Sequence, residues 1–126
     1  MPKKILEAPN GPQPLGAYSI ATEANGFVFV SGQVAIDPAT NAPAVGGVAA
    51  QSKQVMSNVA AVLSDVGLGL EDVVKTTIFL ADIADFPVVN EIYGEYFATG
   101  RPARSTVQVG ALPGGYLVEI EVIAAR

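Results

Sequence analysis

Residues 101–126 read RPARSTVQVGALPGGYLVEIEVIAAR, and the two β-branched runs inside them, 105–109 and 117–123, constrain the fold more than any other stretch. Successive side chains of a strand point to opposite faces. Arg104, Thr106 and Gln108 therefore share one face, and Ser105, Val107 and Val109 the other. Glu119 and Glu121 likewise oppose Val118, Ile120 and Val122. Such alternation needs a sheet with two chemically different faces. Between the runs, Leu112-Pro113-Gly114-Gly115 joins a pre-set φ at proline to free φ at two glycines, so the segment reads as a terminal β-hairpin. In the register that brings the polar faces together, one surface would hold an arginine, a threonine and two carboxylates. Solvent accounts for that surface adequately, since an exposed Arg–Glu pair is worth about 0 to 1 kcal/mol. A pocket or subunit interface in which Arg104 holds an anion is the sharper reading.

The rest of the chain supplies the partners of that sheet. A short strand is predicted near Lys4–Leu6, followed by a loop over 9–16 punctuated by Gly11, Pro12, Pro14 and Gly16. Strand-like runs at 18–22 and 27–31 flank Glu23-Ala24-Asn25-Gly26, whose Asn-Gly is a strong hairpin signal. Asp37-Pro38 opens another loop that reaches Gly46-Gly47. Apolar residues at Val48, Val55, Met56, Val59, Val62, Leu63 and Val66, with Gln51, Lys53, Asn58 and Asp65 between them, predict an amphipathic helix over 48–66 capped by Gly67. Residues 72–81 predict a buried central strand. Asp85 before Phe86-Pro87 suits a helix start, and the stripe Phe86, Val89, Tyr93 and Phe97 carries a second helix to about Ala98. Both helices are expected on one face of a single mixed sheet, with the other face left for partners.

At 126 residues, the chain suits one domain, 1–126. Half its residues are apolar and 15% are charged, a lean ratio that suggests surface hidden against copies of itself. With 7 Lys and Arg against 12 Asp and Glu, nucleic acid and anionic membrane surfaces are disfavoured as partners. There is no cysteine and no histidine, which excludes a thiol nucleophile, a Ser-His-Asp triad, a disulfide and a zinc site built on nitrogen or sulfur. Catalysis must then come from carboxylates, Arg, Lys, Tyr, hydroxyls and backbone. The amino terminus lacks the apolar run of a secretory signal, and no segment approaches a membrane span, so a cytoplasmic location is expected.

Six separated motifs carry a family resemblance: Gly16-Ala17-Tyr18-Ser19, Val30-Ser31-Gly32-Gln33, Val74-Lys75-Thr76-Thr77, Val89-Asn90-Glu91-Ile92-Tyr93, Pro102-Ala103-Arg104-Ser105, and Leu112-Pro113 with Val118-Glu119-Ile120-Glu121. In order and spacing they resemble the RidA family, also called the YjgF family, over essentially the whole chain. The resemblance implies a chorismate-mutase-like α+β domain, a mixed sheet with two helices on one face, assembled as a homotrimer with clefts between subunits. It implies hydrolysis of reactive enamines and imines, such as 2-aminoacrylate and its imine tautomer, to 2-keto acids and ammonia, without a metal or organic cofactor. Carried over by position, Arg104 corresponds to the arginine that grips the substrate carboxylate and Glu119 to the glutamate that activates water. Tyr18, Ser31 and Asn90 correspond to cleft residues. Many family members carry cysteine where this chain has Thr106, a departure that leaves hydrolysis through water possible and bears on substrate preference.

Each assignment has a structural rival. Arg104 could merely bridge subunits through Glu119 or Glu121, Tyr18 could pack, and Ser31 could bond backbone. Asp37 and Asp65 read as turn and helix-surface residues. Two other functions compete: a non-enzymatic trimer that binds small carboxylates, and the family's older description as translation inhibitor or ribonuclease, which an acidic chain without histidine supports poorly.

Overall fold

A computed structural model describes residues 2–126. Eight strands and two α-helices run in the order β1 (Lys4–Leu6), β2 (Ala21–Ala24), β3 (Phe27–Gln33), β4 (Ile36–Asp37), β5 (Ala42–Pro43), α1 (Val48–Asp65), β6 (Val73–Leu80), α2 (Phe86–Tyr96), β7 (Ala103–Gln108) and β8 (Val118–Ala125). Six strands form the main sheet in the order β1-β2-β3-β8-β6-β7, while β4 and β5 pair separately within the 34–47 loop. Every pairing in the main sheet is antiparallel except β6 with β7. Asn25 and Gly26 both take positive φ, 53° and 81°, which makes the β2–β3 connection the two-residue turn that the Asn-Gly signal requires.

The terminal hairpin does not form. β6 lies between the two strands that were expected to pair, with β7 on one side of it and β8 on the other. The reason lies in connection chemistry. α2 supplies the crossover that brings β7 back parallel to β6, and a parallel neighbour needs such a crossover. The Pro113–Gly115 turn then only has to lead the chain past that edge to β6's other side.

Registry shows the consequence. Thr76, Ile78 and Leu80 of β6 stand beside Arg104, Thr106 and Gln108 of β7, and beside Val122, Ile120 and Val118 of β8. Those rows face the helices. Glu119 and Glu121 stand beside Phe79 and Thr77, on the opposite face. The expected surface holding Arg104 together with the two carboxylates therefore does not exist within one chain.

Burial of the helix-facing rows drives the packing. Met56, Leu63, Ile78, Leu80, Ile120 and Val122 are buried between α1 and the sheet, and α2 extends the layer beside α1. Asn58, set among the apolar positions of α1, is buried as well, its amide donating to the carbonyls of Val34 and Ile36 at 3.1 and 2.8 Å. Asp65 is more than helix surface, since it accepts from the backbone N–H and side-chain amide of Asn10 and ties the 9–16 loop to α1. Asp85 occupies the position before α2 without a side-chain capping bond; Asp82, one turn earlier, accepts from the Ala84 N–H instead. Among the described residues no helix covers the other sheet face, which exposes Phe27, Phe29 and Val107, each 43% accessible. No helix among the described residues is long and apolar enough to cross a membrane.

Candidate active site

Two recesses on opposite faces of the sheet hold Tyr18, Ser31 and Glu119 in one and Asn90 and Arg104 in the other, while Thr106 lines neither. The first, about 710 Å³, is lined by Leu15, Tyr18, Ser31, Gly32, Tyr116 and Glu119 together with Val34, Ile36 and Glu121. A largely apolar wall with few polar groups is the usual character of a small-molecule pocket. Ser31 donates to the Ser19 carbonyl at 2.6 Å, which is the backbone role its rival reading foresaw, and that bond holds the Tyr18 loop against β3. Tyr18 is half exposed on the wall and does not pack into the core. Burial, reinforced by the neighbouring Glu121 charge, pushes the Glu119 carboxyl above the ordinary carboxylate range.

Gly32 is the residue that sequence reasoning passed over. A Cβ placed there would meet the Glu119 carboxyl carbon at 2.8 Å, so the missing side chain lets the carboxylate lie against the β3 backbone. The pairing of β3 with β8 shifts register between Val30 and Gln33, around the same point. A glycine inside a strand-like run was the available signal. Two helix residues also shape this recess at a distance: Asn58 holds the Val34–Ile36 wall, and the Gln51 side chain accepts from the Leu117 N–H at 2.9 Å.

The second recess, about 450 Å³, lies between α2 and the start of β7 and is lined by Asn90, Tyr93, Gly94, Arg101, Pro102 and Arg104. Arg104 donates to the Asn90 side-chain oxygen at 2.7 Å, and its guanidinium carbon lies 4.9 Å and 5.3 Å from the ring centres of Tyr93 and Phe86. Stacked and hydrogen-bonded in this way, the fork is held in place, and among the described residues no carboxylate pairs with it. Tyr93 hydrogen-bonds Thr76 at 2.7 Å, and burial keeps its phenol above the ordinary range despite the opposing effects of that bond, Arg104 and Arg101. Thr106, two residues along the same strand face as Arg104, has a buried hydroxyl without a protein partner. Such a group normally finds one, so water or a ligand atom is the expected complement.

Arg104 and Asn90 thus form one group, with Thr106 further along the same strand face, and Tyr18, Ser31 and Glu119 form another, with the sheet between them. Arg104 bridges to neither Glu119 nor Glu121 within the chain. Among the described residues there is no cluster of three or more His, Cys, Asp or Glu that could hold a metal.

Comparison with known proteins matches residues 8–126 to the family described as Endoribonuclease L-PSP. A RutC family protein of Synechocystis is 50% identical over 127 residues, covering 98% of this chain and 97% of its own. The rat 2-iminobutanoate/2-iminopropanoate deaminase is 44% identical, over 98% of this chain and 90% of its own. The crystal structure of the Rid-family protein YyfA from Yersinia pestis superposes with a TM-score of 0.94 at 46% identity, over 98% of this chain and 99% of that one.

Proposed function

This chain belongs to the RidA (YjgF) family, the family described as Endoribonuclease L-PSP, and from that premise we infer that it hydrolyses reactive 2-enamine and 2-imino acids to 2-keto acids and ammonia. The observation that carries the reading is the division of labour across the sheet. An immobilised, unneutralised guanidinium lies on one face, and a carboxyl with raised proton affinity lies in an apolar recess on the other. Neither half is a hydrolase alone. A second copy seated on the uncovered sheet face brings the Arg104 half of one chain to the Glu119 half of the next, and three copies close the ring. The catalytic unit in this reading is a homotrimer of one-domain chains, residues 1–126, working in the cytoplasm with a site at each subunit boundary.

The paired N–H groups of Arg104 meet both oxygens of the substrate carboxylate, with Asn90 fixing the fork. Glu119 accepts a proton from a water held against the imine carbon. The new C–O bond gives a carbinolamine. Glu119 returns that proton to the nitrogen, which completes the neutral carbinolamine, and then relays the carbinolamine O–H proton to the same nitrogen, so that ammonia departs as the C–N bond breaks and the ketone forms. The Thr106 hydroxyl holds water or a substrate oxygen, and Tyr18 and Ser31 shape the wall around the side chain. The imine is already electrophilic, so positioning supplies much of the acceleration and no nucleophilic side chain is needed.

Ammonia and keto-acid release from imines generated by an amino-acid oxidase tests this directly. The native chain should accelerate release, while Arg104→Ala and Glu119→Gln fall toward the uncatalysed rate with their assembly intact. A native protein that binds keto acids through Arg104 but adds nothing to the rate would be a carboxylate-binding trimer instead.

A further inference from the structure

The Arg104 recess holds more positive charge than one carboxylate uses. Arg101 and Arg104 both line it, and none of its six lining residues is acidic. That is unusual in a chain with 12 acidic residues against 7 basic ones. Among the described residues the only ion pair joins Arg126 to Glu23, at 3.0 Å, and lies elsewhere.

Arg101 is not a loose surface cation. Its Nε donates to the Phe97 carbonyl at 2.8 Å, folding the side chain back over the end of α2. Its Nη2 would lie 3.7 Å from a Cβ built on Gly94, so the guanidinium rests beside the helix position that carries no side chain. Arg104 is held from the other side by Asn90 and the Tyr93 ring. A guanidinium has five N–H donors, and each of these uses one on the protein. The Tyr93 hydroxyl is already engaged by Thr76, so the unused hydrogen-bonding capacity of the recess is dominated by two cationic forks. Like charges sharing one recess repel until an anion neutralises them, and a single carboxylate taken bidentately by Arg104 leaves the Arg101 fork unmatched.

We propose that Arg101 forms a second anion position beside Arg104, so that this chain favours 2-imino acids whose side chain ends in a carboxylate. The substrate class rests on the deaminase reading above; the two-anion recess does not. Arg104 takes the carboxylate next to the imine carbon, and Arg101 takes the distal one.

The test uses stable keto acids as probes of the assembled native protein. Calorimetric titration should give 2-oxoglutarate an affinity about tenfold or more above 2-oxobutanoate at low salt, a ratio that collapses toward one in Arg101→Ala and is partly kept in Arg101→Lys. Equal affinities in the native protein, or a ratio unmoved by Arg101→Ala, would overturn the proposal. Turnover is read in parallel, with imines of glutamate and alanine generated in situ. If the affinity ratio behaves as expected and no imine is hydrolysed, the deaminase reading fails and the two-anion recess stands. If neutral imines are hydrolysed and no dicarboxylate preference exists, the recess proposal fails alone.

Discussion

Glu119 carries its raised proton affinity because it is half-buried beside another carboxylate, and this has two opposite consequences. As a base it must be ionised, so the acid limb of the pH–rate profile should lie above the ordinary carboxylate value of 4.5. For stability the sign reverses. A folded carboxyl that holds its proton to higher pH than the unfolded one opposes folding once ionised, and the penalty disappears as pH falls below that ordinary value. Glu119→Gln should accordingly be at least as stable as the native chain at neutral pH, with the difference vanishing in acid, as chemical denaturation at the two pH values would report. Gly32→Ala tests the same group from its neighbour. The added methyl can be accommodated only by moving the far end of the Glu119 side chain, so activity should drop while the melting temperature changes little. For Arg104→Ala, each lost charge-assisted bond is worth about 1.5 to 3 kcal/mol, or roughly 10- to 150-fold in kcat/KM.

At the scale of elements, the decisive event is where β7 goes. Its alternation was readable, and so was the α2 stripe before it, yet the two together make a βαβ crossover that places β7 beside β6. A crossover commits the strand to a parallel neighbour, and β8 is left to fill the gap between β3 and β6. α1 contributes through one polar residue. Asn58→Ala removes the donor for two carbonyls that hold the wall of the Glu119 recess. The Val34 carbonyl keeps the Ile36 N–H at 2.8 Å, but loss of the Asn58 donor to the Ile36 carbonyl costs about 1 to 3 kcal/mol, so the urea midpoint should fall with an unchanged m-value. Because the same wall lines the recess, KM should rise as well.

For the whole molecule, the uncovered sheet face is the outstanding feature. Phe27, Phe29 and Val107 are each 43% exposed there, and the Arg104 and Glu119 recesses lie to either side of the sheet. Light scattering should report three copies of the 12.9-kDa chain. Val107→Asp should shift the mass toward one copy and abolish turnover although Arg104 and Glu119 are both present. A monomer with full activity would contradict the shared site.

Local chemistry determined much of this protein from its sequence. The two helices, to within one or two residues at their C-terminal ends, the Asn25-Gly26 turn, the two-faced strands and the family motifs are all readable because each depends on neighbours within a few residues. Arg104 and Glu119 became candidates through the family resemblance, as residue types at its motif positions. What tertiary structure alone decided is strand partnership, and with it which face each side chain occupies. A strand's alternation specifies two faces without saying which one a third strand will turn toward the helices. Inserting β6 between β7 and β8 put the arginine and the glutamate on opposite sides of the sheet, and it left Gly32 against the carboxyl and Arg101 beside Arg104.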